Sequence, residues 1–498
     1  MVTSVEMPIQ VYHSHFKTEA VSFPPTIAPT LLPESTDHPL RIFLIQSAHG
    51  LYASSGGYRA NIALARAMRS QGHVIKMLAS VYANEVATIP HTRTVEKFGH
   101  RVIPVYRFWY GQIDVVALDA DQCREAFNRS QEVTEMMESW LENEKDVPLL
   151  TARQEFVAKE VASFHPSHVI MNDYCSLKAI LEANIPPCTK IFIVHDAEDL
   201  PFGPFARGKP CLVLPYNGLR QTFIIRTTSD GFAIKTSYRR LQHVDGLWAV
   251  SNAIADYFAN YGKLTCRILP NHPLIYGDDV HSLPFYQNFD KPYICAINPG
   301  YLKGFPIVKS IMERMPENQF LIVKSWNILW NPFVLEEFEK TENAILMDPV
   351  NDMESLWLQV KVLLVPSLWY EAFGLVVIEA LLRGIPVLSS NAGGLIEAHL
   401  GVPYVIPTNT ITGERETDQE LVKRQGTDYK IPENSADPWV RILRCLMHDR
   451  ELYERIRLQS RIAAVAYVKG LDPQVYEEYM KSLEREQRAW AGKDYLVG

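Results

Sequence analysis

The chain has little of what would tie it to a bilayer, to nucleic acid or to an oxidising compartment. No apolar run in its 498 residues approaches the ~20 needed for a membrane-spanning helix. The opening Met1-Val-Thr-Ser-Val-Glu-Met-Pro has no basic segment followed by an apolar core, so no secretory signal is expected. Its 7 cysteines are scattered, odd in number and without a Cys-x-x-Cys pair. That argues against a disulfide framework or a cysteine zinc site, and favours a reducing, cytoplasmic setting. Cationic residues are not in excess: 49 Lys and Arg face 57 Asp and Glu, a net charge of −8. No electrostatic footprint for nucleic acid is therefore expected. The Gly-x-Gly-x-x-Gly of dinucleotide-binding folds is missing too. Peripheral contact with a membrane stays open, because it needs only a surface patch.

What remains is a globular composition, with 47% hydrophobic and 21% charged residues in a length that suits two or three domains. The clearest organisation lies between Lys361 and Ser389. Lys361 to Val365 is a short aliphatic run suited to a buried strand, and Pro366-Ser367 stops it. Glu371 falls in the loop. Gly374 to Arg383 then reads as a helix with Leu375, Ile378 and Leu382 on one face, closed by Gly384 and followed by Pro386. The free amides of Phe373, Gly374 and Leu375 at such a helix start make an anion site. Glu371 and Glu379 bracket it. Carboxylates repel phosphate but accept hydrogen bonds from hydroxyls. A diphosphate with a hydroxylated group at each end, as in a nucleotide sugar, fits that pattern.

The same alternation opens the chain. Arg41 to Gln46 reads as a strand, Tyr58 to Gln71 as a helix and Val74 to Ala79 as the next strand, with Gly56-Gly57 directly before the helix. Val169 to Asp173 and Lys190 to His195 read as further parallel strands, which puts His195 at a carboxyl end, where ligands collect in α/β sheets. The spacing predicts a strand over Val102 to Trp109 and mostly helix over 119–162. It also predicts some helix around Leu219 to Thr227. Asp119-Ala-Asp121 has the form of a metal-binding pair, but it opens a predicted helix, where the dipole explains acidic residues; no metal site is assigned. The aromatic cluster Tyr106 to Tyr110, together with Phe202 and Phe205, suggests a small, partly apolar acceptor, with Trp109 and Tyr110 as its candidate contacts.

Glu371 to Glu379, with Gly384-Ile-Pro-Val and Gly393-Gly394-x-x-Glu397 in register, closely resembles the signature of retaining glycosyltransferases of family 4. The resemblance implies an α/β GT-B fold, two doubly wound Rossmann-like domains facing across a cleft. It implies that Glu371 contacts the donor sugar and Glu379 the ribose, that Lys303 in Lys303-Gly304 binds the diphosphate, and that Gly56, Gly57 and His195 face the donor. The segment 346–350 would face the nucleobase. Many relatives place an arginine five or six residues before the lysine; this chain has Ile297 and Asn298 there, with Asn298 and Lys324 as the candidate donor-binding substitutes. Where relatives commonly have Asn-Gly-x-Asp, this chain has Asn271-His-Pro-Leu.

The expected organisation is an irregular arm at 1–38, an acceptor-side domain at 39–278, a nucleotide-sugar domain at 279–470, and a helix at 471–498 returning to the first domain. The expected activity is retaining transfer of a sugar, glucose from UDP-glucose, to a small acceptor, with Glu371, Lys303 and His195 as catalytic residues. A nucleotide sugar, expected to be a UDP-sugar, serves as co-substrate, with no cofactor and no metal. The alternatives are a mannosyl- or GlcNAc-type transferase building a lipid-linked or polysaccharide glycan, a nucleotide-sugar epimerase, and a sugar-nucleotide-binding protein without turnover.

Overall fold

A computed structural model describes residues 39–51, 56–126, 139–143, 145–206, 209–213, 223–227, 233–264, 267–269, 280–325, 328, 331–350 and 352–494. The arm at 1–38, the Asn271-His-Pro-Leu segment and the boundary at 278–279 lie outside or at the edge of the described residues.

The first half contributes strands β1 (Arg41–His49), β2 (Val74–Val81), β3 (His91–Phe98), β4 (Arg101–Tyr110), β5 (Ile113–Asp119), β6 (His168–Met171) and β7 (Thr189–Val194), most of them short aliphatic runs and β3 a mostly polar edge. A hairpin, β8 (Lys209–Val213) and β9 (Phe223–Thr227), precedes β10 (Gly246–Ala249) and β11 (Arg267–Ile268). The second half contributes β12 (Tyr293–Ile297), β13 (Gln319–Val323), β14 (Ala344–Met347), β15 (Val360–Val365), β16 (Val387–Ser390) and β17 (Val405–Ile406). The helix expected around 219–227 is corrected over its described part. Phe223-Ile-Ile-Arg-Thr227 pairs antiparallel with β8, as its aromatic and β-branched residues favour.

Two sheets result. The first runs β11-β10-β7-β6-β1-β2-β5-β4-β3, with β4 alone reversed against its neighbours β5 and β3. The second runs β14-β13-β12-β15-β16-β17, parallel throughout. Counted within its own domain, that order is 3-2-1-4-5-6, the doubly wound arrangement whose direction reverses between β12 and β15. Ligands of such sheets lie beyond the carboxyl ends of the strands at the reversal. The loops after β12 and β15 are those carrying Lys303 and Glu371.

Helix α1 (Gly56–Ser70) follows β1, α2 (Asn252–Tyr257) follows β10, and α3 (Leu375–Leu382) follows β15. The last helix, α4 (Gln474–Asp494), lies on the first sheet. There Tyr476 stacks on Trp248 at 5.3 Å and the buried His168 Nε2 meets the Met480 carbonyl at 3.0 Å. Among the described residues no helix is long and apolar enough to cross a membrane.

Between the sheets sits an aromatic cluster. Phe205 of the first domain lies 5.1 Å from Trp369 and 5.4 Å from Tyr370 of the second. The Tyr429 hydroxyl donates to the Phe205 carbonyl at 2.9 Å. Glu397 adds a polar clamp: one oxygen accepts from the Asn252 amide at 2.9 Å and the other from Ala253 N at 2.8 Å, capping α2 across the interface.

Candidate active site

The second-domain face of the cleft is built by two loops pressed together. Gly304 has φ +86°, and a Cβ there would stand 2.0 Å from the Pro366 carbonyl oxygen, so only glycine admits this approach. The amides of Leu368 and Trp369 donate to the Leu302 carbonyl at 2.9 and 3.0 Å, fixing the loops in register. Lys303 Nζ consequently reaches Glu371 Oε1 at 2.5 Å, and Ser367 Oγ donates to the same oxygen at 2.6 Å. From behind, Gly394 N donates to the Glu371 carbonyl at 2.7 Å. Gly374 caps the amino end of α3 at φ +118°, with Phe373 buried before it and Leu375 opening the helix. Glu379, in the second turn of α3, is buried.

The first-domain face comes from three distant segments. Gly57 opens α1 directly against His195, and a Cβ there would meet the imidazole Cγ at 2.9 Å. A Cβ on Gly56 would meet Leu375 Cδ1 at 3.3 Å, so the starts of α1 and α3 face each other across the cleft. The imidazole orientation is set by a relay. Gln46 Nε2 donates to the Tyr58 carbonyl at 3.5 Å, and Asn61 Nδ2 donates to Gln46 Oε1 at 3.0 Å. Asn61 Oδ1 is thereby turned toward His195 Nε2 at 3.0 Å. Because the relay ends on a carbonyl, which only accepts, His195 Nε2 carries the proton. Burial pushes the His195 pKa down to about 4, so the ring is neutral at ordinary pH.

Asp196 belongs to this site, although the sequence points only to its neighbour. Its Oδ1 accepts from Glu198 N at 2.9 Å and from the Trp369 indole at 3.3 Å, a link between the domains. Burial raises its pKa to about 6; the Glu198 and Glu371 charges push the same way, while the Glu198 amide and Lys303 oppose. Arg59, also unmarked by the sequence, reaches Glu379 across the cleft. Its Nη2 stands 2.6 Å from Glu379 Oε1.

The structure thus brings together Gly56, Gly57, His195, Lys303, Glu371, Phe373, Gly374, Leu375 and Glu379. Asn298 stands apart in role. It is buried with φ +56°, and its Oδ1 accepts from Ile328 N at 3.3 Å, bracing the loop after β12. Lys324, after β13, pairs with Asp348 at 2.6 Å. Trp109 and Tyr110 are not at the cleft, a correction to their assignment as acceptor contacts. They pair with Asp114 and Ile113 at the amino end of β5, because β4 runs antiparallel to it, whereas the cleft lies beyond the carboxyl ends. Trp109 is exposed there and Tyr110 lies under the Arg66 guanidinium. Phe202 and Phe205 are buried in the aromatic core. Asp119 accepts from the Tyr106 hydroxyl at 2.9 Å and from Gln122 N at 2.9 Å, so it serves as a helix cap.

This geometry is that of a GT-B protein, with two Rossmann-like domains and the loops of one facing glycines of the other. Comparison with known proteins agrees on the fold. Residues 335–399 match the family model described as glycosyl transferases group 1. Over 178 residues the chain is 27% identical to sulfoquinovosyl transferase SQD2 of Arabidopsis thaliana, a match taking in 34% of this chain and 30% of that protein. The match therefore spans under a third of the curated relative. Among solved structures, HepE of Anabaena in complex with UDP and glucose superposes with a TM-score of 0.54 at 13% identity, covering 88% of this chain and 99% of that one. A glycosyltransferase of Rickettsia africae gives 0.54 at 13%, covering 89% and 98%. The pneumococcal O-GlcNAc transferase GtfA in complex with UDP and GlcNAc gives 0.51 at 14%, covering 90% and 99%.

Proposed function

We propose that this protein is a retaining glycosyltransferase that moves a sugar, glucose from UDP-glucose in the first instance, to an acceptor hydroxyl. The observation that carries the reading is Lys303 and Glu371 in contact at the strand-order reversal, at 2.5 Å, beside the start of α3. A diphosphate seated there meets a cation and helix amides, which stabilise the charge that develops as the leaving group departs. Glu371 and Glu379 then accept hydrogen bonds from sugar and ribose hydroxyls, and His195 closes over the sugar from the other domain. Lys303 and the helix start supply the positive charge, so the reaction is expected to proceed in EDTA. Trp109 and Tyr110 lie at the far end of the sheet, and Phe202 and Phe205 are buried in the aromatic core, so the partly apolar acceptor rests on the sequence pattern alone.

An inverting enzyme needs a base behind the reacting carbon. His195 donates its Nε2 proton to Asn61, and its pKa of about 4 makes it a weak base. Both Glu371 and Glu379 have hydroxyl partners in this reading. The departing diphosphate is then the proton acceptor, and attack comes from its own side. The test is a panel of nucleotide sugars with candidate acceptors, scored by acceptor-dependent release of nucleoside diphosphate and by the anomeric proton coupling of the product. An α-donor giving an α-glycoside is the expected result. A β-product would reject the retaining mechanism and make Asp196 the base. Binding without acceptor-dependent release would leave a sugar-nucleotide-binding protein.

A further inference from the structure

We propose that Arg59 is a second cation for the donor diphosphate, paired with Glu379 in this structure and handed to the phosphates when a nucleotide engages that carboxylate. This rests on the donor site described above and adds to it a residue from the opposite domain. Arg59 lies in the first turn of α1, whose start faces that of α3 across the cleft through Gly56 and Leu375. Its guanidinium stands 2.6 Å from Glu379 Oε1, with the arginine side chain 39% exposed and the glutamate 6%.

The pair is close, yet it is not aligned as a hydrogen bond: Glu379 Oε1 is buried and, among the described residues, has no hydrogen-bond partner. A buried carboxylate oxygen met by a cation but by no aligned donor is suited to accept from a hydroxyl. Lys303 and Glu371 form the matching pair on the other side of the α3 start. Each of these two cations therefore faces a carboxylate. A nucleotide sugar carries hydroxyls at both ends and two negative charges between them. On binding it replaces two ion pairs by two carboxylate–hydroxyl contacts and frees two cations for the phosphates. The planar guanidinium, with its fork of donors, matches a diphosphate better than it matches the misaligned Glu379 oxygen.

The test compares a diphosphate with its nucleoside on the whole chain. Calorimetric titration of the wild type with UDP, GDP and ADP chooses the base, after which Arg59→Met and Arg59→Lys are titrated with that nucleoside diphosphate and with the nucleoside alone. Arg59→Met should weaken the diphosphate about tenfold or more, the loss of one charge-assisted contact. Nucleoside affinity should stay level or rise, because Glu379 is then free, and Arg59→Lys should lose less than Arg59→Met. Equal weakening of both ligands would make Arg59 a structural support for Glu379 and overturn the proposal. Tightening of both would make it a competitor alone and overturn the proposal equally, as would no change in either. A wild type that binds none of the three diphosphates overturns the donor reading, whereas normal binding with an indifferent Arg59→Met sinks only the role of Arg59. Arg59 is partly exposed, and an unchanged unfolding temperature of either variant confirms that the titrations report binding.

Discussion

The two faces of the cleft are built in opposite ways. On the second-domain face, Ser367, Glu371, Gly374 and Glu379 follow one another through a single strand–loop–helix passage, with Lys303 and Glu397 added from neighbouring segments. On the first-domain face, Gln46, Arg59 and Asn61 come from the start of the domain and His195 and Asp196 from far along the chain, with Asn61 tying Gln46 to His195 by side-chain hydrogen bonds. The first construction is local and the second is tertiary. Local spacing on a helix fixes geometry directly, so a reader of sequence can see it. Tertiary contacts depend on strand order, which no short window contains.

The largest expected effect tests the local face. Glu371→Ala and Lys303→Ala should each lower kcat/KM by ~10²-fold or more, since a positioned charge at a reacting centre is typically worth ~3 kcal/mol. Steady-state kinetics with the donor chosen by the panel measures it. Because Lys303 and Glu371 touch, the double variant should lose much less than the product of the two single losses. Either single variant retaining full activity would mean the face with the clearer motif is not the reacting one.

A smaller effect tests the tertiary face. Asp196 has its pKa raised by burial to about 6, above its unfolded value, so the folded chain binds this proton more tightly than the unfolded chain. Stability from the neutral acid is present below the unfolded pKa, falls as pH rises toward 6, and stays lost above it. An asparagine at this position would mimic the neutral acid, and its amide oxygen can accept from Glu198 N and Trp369 as the carboxyl does. Asp196→Asn should therefore unfold at a higher temperature than wild type at pH 7.5, by a margin on the order of 1 kcal/mol. At pH 5 the margin should shrink. A margin independent of pH would show that Asp196 titrates like a solvent-exposed aspartate.

The second domain is legible in the sequence because Gly304, Glu371, Gly374, Glu379 and Gly384 each mark a turn, loop or helix position whose geometry follows from residue type and spacing. His195 is legible too, as the residue after a strand, which parallel pairing turns into a cleft position. Arg59 and Asn61 lie inside a helix already explained by its apolar face, and nothing in their spacing distinguishes them from solvated helix residues. Phe223 to Thr227 reads as helix in sequence because a long Pro-, Gly- and aromatic-rich segment carries no clear period. Its strand depends on pairing with Lys209 to Val213, outside any short window. Asn298 stands where a ligand residue is expected by resemblance, yet its positive φ and its bond to Ile328 N give it a local structural task.

The smallest expected effect falls where local reading misleads. Tyr106 to Tyr110 does end a strand, as the sequence suggests, but sequence gives a strand without its direction. In the fold β4 runs against β5, so Trp109 ends beside Asp114, and Asp114 pairs with Lys76 near the start of β2. Substrates of a parallel sheet gather at the other end. Trp109 is 47% exposed, so removing its ring opens no cavity in the core. Trp109→Ala should change stability by roughly 0.5 kcal/mol or less and leave donor and acceptor KM within about twofold of wild type. Thermal unfolding and steady-state kinetics on the same preparation check both halves. A selective rise in acceptor KM at unchanged stability would restore Trp109 as an acceptor contact, and would require the acceptor to reach around the sheet from the cleft.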